Sequence, residues 1–201
     1  MRLKEECRKE TVIQKSKFIA CASPCADENA CRMYIDGIWK EYPDASHICT
    51  AYICGTHDSI QHSSDNKEPS GTAGIPMLEA LKYSGLSNVC VCVVRYFGGI
   101  KLGPGGLMRA YSGAVKNVLA SAKKVEDIPL HQYKITYPYN LSGTFEGWLR
   151  HNTEIVTLSY GTAVTVVFET AQEDVPTAIQ NLSRGSVSTI DQGIVYREKE
   201  I

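Results

Sequence analysis

Residues 88–106 read NVCVCVVRYFGGIKLGPGG, and the fold turns on this stretch. Asn88–Arg95 is a nearly continuous apolar run, the pattern of a strand covered on both faces. Cys90 and Cys92 alternate with Val89, Val91 and Val93, so the two thiols share one face as buried strand residues. The glycine-rich turn after Arg95 opens a long helix, from about Gly105 to Ala122. Its apolar stripe is Leu107, Tyr111, Ala114, Val115, Val118 and Ala122.

Upstream, 12–22 (VIQKSKFIACA) reads as a strand after a short charged one. Asp27–Tyr42 reads as a helix: Cys31, Tyr34, Ile35, Ile38 and Tyr42 recur at helical spacing, Asp27 caps the start and Pro43 ends it. His47–Cys54 is a strand, and Ile75–Ser84 is a helix with Gly85 just past its end. The polar stretch between them, Gly55 to about Gly74, is too long for a simple connection and is functional, disordered or hiding a short strand.

Downstream, Pro129 marks a boundary. A strand (132–138), a helix (142–152), two strands (154–160 and 162–170), a helix (175–182) and a last strand (186–196) follow, and this βαββαβ order is the ferredoxin-like signature. The expected domains are 1–127 and 128–201. Residues 1–128 carry 16 basic and 14 acidic side chains, and 129–201 carry 5 and 8. From Ala80 to Val125 there are seven basic residues and no acid, which suggests an anionic partner at one face or a solvated helix face.

The chain has 201 residues, 43% of them hydrophobic and 21% charged, an ordinary globular balance. The longest stretch free of charge is Ile155–Phe168, shorter than the ~20 residues of a membrane span, and the charged N-terminus lacks a secretory h-region. The expectation is a cytoplasmic protein with no membrane association. Eight cysteines lie in the first 92 residues without C-x-x-C spacing, and are read as reduced and structural; neither a metal nor a cofactor is expected.

Two glycine-rich segments each open a helix: Ser64–Gly74 and Arg95–Gly106. Helix N-termini with free N–H groups favour anions, and Arg95 and Lys101 would add charge-assisted bonds to phosphate. Neither segment fits a P-loop or G-x-G-x-x-G; the plainer reading is tight turn geometry with Ser70 or Thr72 capping the helix. Arg109, Lys116 and Lys123 recur every seven residues on one side of the long helix, as a phosphate track or a solvated face. The expected anion- or nucleic-acid-binding set is thus Arg95, Lys101, Gly103, Gly105, Gly106, Arg109, Lys116, Lys123, Ser70, Gly71 and Thr72. An enzyme would draw its nucleophile from Ser70, Ser64 or Cys54, its base from His47, His57 or His62, and its orienter from Asp65 or Glu68. No G-x-S-x-G elbow supports this, and His57 and His62 are poorly spaced for a metal.

Lys15-Ser16-Lys17-Phe18-Ile19, Ala45-Ser46-His47, the Glu68–Gly74 string with Pro76, and Arg95–Gly103 with Gly105-Gly106-Leu107 and Arg109-Ala110-Tyr111 closely resemble the Impact/YigZ family over residues 1 to about 125. The tail resembles the small second domain of the bacterial YigZ type. The resemblance marks Lys17, His47, Asp65 and Glu68 as family-motif polar residues. It implies an α+β protein of two domains, the first like the second domain of ribosomal protein S5 and the second ferredoxin-like. Where the family usually reads Ser-Asp-Asp-Gly-Glu-Pro, this chain has Asn66-Lys67 in place of Asp-Gly, which removes a carboxylate and a flexible residue. No accepted reaction comes with the family, and its eukaryotic members regulate translation. The reading is a translation-associated regulator that binds RNA or the ribosome through a cationic glycine-rich face. Two alternatives stay open: a regulator acting through a protein partner in translation control, and a hydrolase or transferase around His47, Glu68 and Ser70.

Overall fold

The computed structural model describes residues 1–201, in which helix and sheet are mixed. The chain divides into two compact units, 1–126 with 200–201, and 127–199. The first unit holds β1 (Arg2–Leu3), β2 (Cys7–Ile13), β3 (Ser16–Pro24), α1 (Glu28–Glu41), β4 (His47–Cys54), β5 (Ile60–Ser64), α2 (Gly74–Ser84), β6 (Val89–Tyr96) and α3 (Gly103–Ala120). Its main sheet is antiparallel, in the order β2-β3-β6-β4-β5. The central strand is β6, buried from Val89 to Arg95. Val89, Val91 and Val93 pack with Met77 and Leu81 of α2 and with Tyr111 and Val115 of α3. Cys90, Cys92 and Val94 face the other way and pack with Cys31 and Ile38 of α1. Six cysteines share that second core (Cys21, Cys25, Cys31, Cys54, Cys90 and Cys92), and burial pushes the Cys21 thiol up to about 11.

The stretch 12–22 is not one strand. Gln14 and Lys15 both have positive φ, 44° and 65°, and form a two-residue turn that pairs Ile13 with Ser16. Such turns favour Asn and Gly, so Gln-Lys gave no signal for one. Gly98 packs onto this turn: a Cβ there would lie 2.0 Å from the Lys15 carbonyl carbon, and its N–H donates to Ser16 Oγ at 3.2 Å. The long polar stretch after β4 contains the short strand β5, paired with β4. Asp27 caps α1 as read, accepting from the Ala30 N–H at 2.8 Å. The long helix starts two residues earlier than expected, at Gly103, and ends at Ala120.

The second unit takes up β7 (Lys124–Tyr137) from Asp127 on, α4 (Ser142–Asn152), β8 (Glu154–Tyr160), β9 (Val164–Thr170), α5 (Val175–Leu182) and β10 (Ile190–Glu200) as far as Lys199. The strand order is β10-β7-β9-β8, with β7–β9 and β8–β9 antiparallel. Ile135, Tyr137, Phe145, Leu149, Val166, Phe168 and Ile179 form its core. Strand β7 begins at Lys124, earlier than the expected Gln132, because Lys124 and Val125, which still belong to the first unit, pair with β1. The last strand begins at Ile190 rather than Ser186. Residues 183–187 form a turn in which Ser183 Oγ accepts from the Val187 N–H and Ser186 Oγ donates to the Ser183 carbonyl.

Gly98→Ala should lower stability by about 1–3 kcal/mol, because the added methyl forces the β2–β3 turn aside. A urea melt checks this; an unchanged midpoint would mean the turn moves freely.

Candidate functional site

Arg95 is the penultimate residue of β6, and its neighbours in the sheet are Phe18 of β3 and His47 of β4. Its side chain does not reach solvent: Arg95 is 4% exposed and Glu68 8%. Arg95 Nη1 donates to Glu68 Oε1 at 2.5 Å, and Tyr111 of α3 donates its hydroxyl to the same oxygen at 2.7 Å. Arg95 Nη2 reaches Ser16 Oγ at 3.3 Å, and the guanidinium carbon lies 5.4 Å from the Phe18 ring centre and 5.5 Å from that of Phe97. Burial, ahead of the neighbouring Cys49 and Glu68, pushes the Tyr111 hydroxyl well above the usual phenol value, so it stays a donor. Arg95, expected beside Lys101 to add charge-assisted bonds to phosphate, is buried at the cleft, and its charge is matched by Glu68.

This pair floors a cleft of about 470 Å³ lined by His47, Glu68, Pro69, Arg95, Phe97, Lys101, Leu102, Gly103, Pro104 and Leu107. Both glycine-rich segments contribute to it, the first through Glu68 and Pro69, the second through Lys101–Pro104. His47 Nδ1 lies 3.0 Å from the Asn66 carbonyl oxygen. A carbonyl only accepts, so Nδ1 carries a hydrogen, and in the neutral ring the lone pair falls on Nε2. Nε2 is 3.9 Å from Glu68 Oε1. Helix α3 starts at the cleft with no side-chain cap, and Pro104 in its first turn has no N–H. The amides of Gly105 and Gly106 follow, at the positive end of the helix. Gly103, at φ 70°, takes a conformation that favours glycine. The lining contains no Ser, Thr or Cys.

The start of α2 is different. Asp65 Oδ2 accepts from the Gly71 N–H at 2.8 Å, and Oδ1 accepts from Ala73 and Gly74 at 2.9 and 2.8 Å. These amide bonds hold the Asp65 carboxyl below its ordinary value, against the opposing effect of burial. Thr72 N–H and Oγ1 both donate to the Pro69 carbonyl. The cap is thus Asp65, not Ser70 or Thr72, and the Gly71 and Thr72 amides are already engaged. Ser70 is exposed and outside the cleft lining. Asn66 and Lys67 have φ of 40° and 67°, in a turn closed by the Glu68 N–H to the Asp65 carbonyl at 3.0 Å. Lysine there holds a left-handed conformation that glycine would adopt without strain.

The basic stretch splits. Lys101 lies in the cleft, while Arg109 and Lys116 line an outer groove between α2 and α3. Lys123 pairs with Glu5 at 3.0 Å. Lys17 sits over the Tyr96 ring at 5.2 Å and 3.8 Å from Glu10. Of the other catalytic candidates, His57 lies in a turn after β4, His62 stacks on Tyr52 at 5.0 Å, Cys54 is buried at the end of β4 and Ser64 ends β5. Tyr111 and Ser16 escaped the sequence reading as site residues. Both stand in strings that carry the family resemblance, but Tyr111 otherwise reads as part of an apolar stripe, and Ser16 gives no sign of a buried partner.

A model of the Impact N-terminal domain matches residues 14–119. The IMPACT family member YvyE of Bacillus subtilis (strain 168) is 37% identical over 204 residues, which span 99% of this chain and 94% of that protein. The IMPACT family member YigZ of Escherichia coli (strain K12) is 39% identical over 130 residues, 64% of each chain. A crystal structure of a hypothetical protein is 31% identical and aligns over 94% of this chain and 95% of its own, with a TM-score of 0.60.

Glu68→Ala should cost about 3–5 kcal/mol by leaving Arg95 buried and uncompensated, and Glu68→Gln with Arg95→Met should recover much of that loss. Urea denaturation measures both; equal destabilisation by the single and the double variant would contradict the pairing. Asp65→Asn should cost about 1–3 kcal/mol at neutral pH. Because the folded carboxyl titrates below its ordinary 3.8, the wild-type advantage is full above that pH and fades as the pH falls below it. Melts across the acid range check this; a gap independent of pH would remove the charge from the explanation.

Proposed function

The chain belongs to the Impact family, and from that premise we propose that it is a cytoplasmic, translation-associated regulator that binds RNA or the ribosome through the cleft at the start of α3. The observation that carries the anionic partner is the charge balance of the cleft. Its one carboxylate, Glu68, is matched by Arg95, which leaves Lys101 and the uncapped start of α3 to set the sign. Phosphate oxygens suit backbone amides and an ammonium in this arrangement. Phe97, 48% exposed, Leu102, Leu107 and Pro69 offer an apolar wall against which a base can stack. His47 adds a ring nitrogen, Nε2, that can hydrogen-bond a polar group of the ligand. The translation part of the reading rests on the family resemblance, whose eukaryotic members regulate translation.

The β10-β7-β9-β8 order supports a ferredoxin-like second unit, and the first unit is read as like the second domain of ribosomal protein S5. A hydrolase or transferase draws less support, since the cleft offers a base without a nucleophile in its lining.

Lys101→Ala tests the proposal, and Arg95 is left in place because its removal would unfold rather than unbind. The variant should bind ribosomes or RNA less tightly at low salt, with the salt slope reduced by about one unit and the melting temperature unchanged. Unchanged affinity and slope in the folded variant would reject the phosphate role and leave a protein-interaction regulator as the better reading.

A further inference from the structure

The groove that holds Arg109 and Lys116 is not used by the cleft. Its walls are two rows of side chains spaced by four residues: Ile75, Glu79 and Tyr83 on α2, and Met108, Ser112 and Lys116 on α3. Pro76 and Ala80 form a low floor between them, under a hollow of about 310 Å³. A second hollow of about 260 Å³ shares Ala80, Tyr83 and Lys116 and carries the groove on to Leu119, Ala120 and Lys124. From Met108 to Ala120, α3 rises roughly 18 Å, about the length of three helical turns.

Three apolar side chains stand out of this groove into solvent: Tyr83 is 86% exposed, Ile75 56% and Met108 45%. Scattered surface apolar groups need no explanation, but these line one channel. Rows at a spacing of four are the ridges into whose groove a further helix packs its own ridge. The charge of the walls is one-sided. Arg109, Lys116 and Lys124 have no carboxylate within ion-pair distance, and the one acid, Glu79, is 3.0 Å from Lys82 Nζ. Two of the three exposed apolar groups are aliphatic and offer no ring for a base to stack on, so the groove suits a peptide better than a nucleic acid.

We infer that the groove between α2 and α3 docks an amphipathic helix of a partner protein, with its apolar face on Ile75, Tyr83 and Met108 and acidic residues flanking that face toward Arg109, Lys116 and Lys124. This goes beyond the RNA reading and does not rest on it, since the groove and the cleft share no residue.

The test is a titration of the isotope-labelled full chain, followed by amide chemical shifts, with a helical peptide that carries leucines on one face and glutamates elsewhere. Shifts should concentrate at Ile75, Tyr83, Met108 and Lys116, and the same peptide with lysines for glutamates should bind about tenfold more weakly or worse. Tyr83→Asp and Met108→Asp, both at exposed positions, should each weaken binding by about tenfold with the melting temperature kept. Lys101→Ala should leave it unchanged, which separates this site from the cleft. No shifts in the groove at about millimolar peptide, equal binding of the two peptides, or full binding by both Asp variants would overturn the inference. So would groove shifts that grow with protein concentration alone, the sign of a second copy in place of a partner.

Discussion

A buried guanidinium with its carboxylate is what the first unit is organised around. Glu68 Oε1 takes hydrogen bonds from Arg95 at the end of β6 and from Tyr111 on α3, and Arg95 in turn reaches Ser16 at the start of β3. One oxygen therefore ties the central strand, the long helix and the loop before α2 into a single arrangement, with the β2–β3 hairpin joined through Arg95. Removing either charge would strand the other in the interior, at a cost of several kcal/mol, so the elements that carry the pair are not free to drift apart. The same pairing fixes the electrostatics of the cleft above it. With the acid paired from below, the cleft keeps one exposed lysine, Lys101, beside the uncapped start of α3.

Two carboxylates three residues apart, Asp65 and Glu68, do different work for a geometric reason. Asp65 turns toward the start of α2 and fills it with its own oxygens, whereas Glu68, beyond a tight turn, points to Arg95. Helix α2 therefore begins on an internal anion, and α3 begins open. Two glycine-rich segments that look alike on paper thus differ in kind: one is closed by Asp65, and the other carries no side-chain cap.

Much of this was legible in the residues. Strand β4, helices α4 and α5 and strand β8 have the bounds that periodicity gave, and Asp27 and Gly85 mark helix ends where expected. The continuous apolar run of β6 correctly announced a strand covered on both faces. What stayed hidden depended on partners far along the chain. Asp65 caps amides six to nine residues away, beyond the reach of any local capping pattern. Arg95 reads as a surface cation unless Glu68 is known to lie against it, 27 residues upstream. The Gln14–Lys15 turn uses residues with no turn signature, and its close packing shows only in what a side chain at Gly98 would strike. Of the three basic residues that share a seven-residue period, Arg109 and Lys116 lie on α3 and line the groove, whereas Lys123 falls past the helix end at Ala120 and Lys101, before the helix start, lines the cleft.

The proposed site leaves the start of α3 open to an anion and the start of α2 closed by Asp65. A titration of the labelled protein with inorganic phosphate, read residue by residue from amide shifts, separates the two helix starts. Shifts at Lys101, Gly103, Gly105 and Gly106, with Gly71, Ala73 and Gly74 still, are the predicted result. Shifts at Gly71–Gly74, or none at the start of α3, would contradict it.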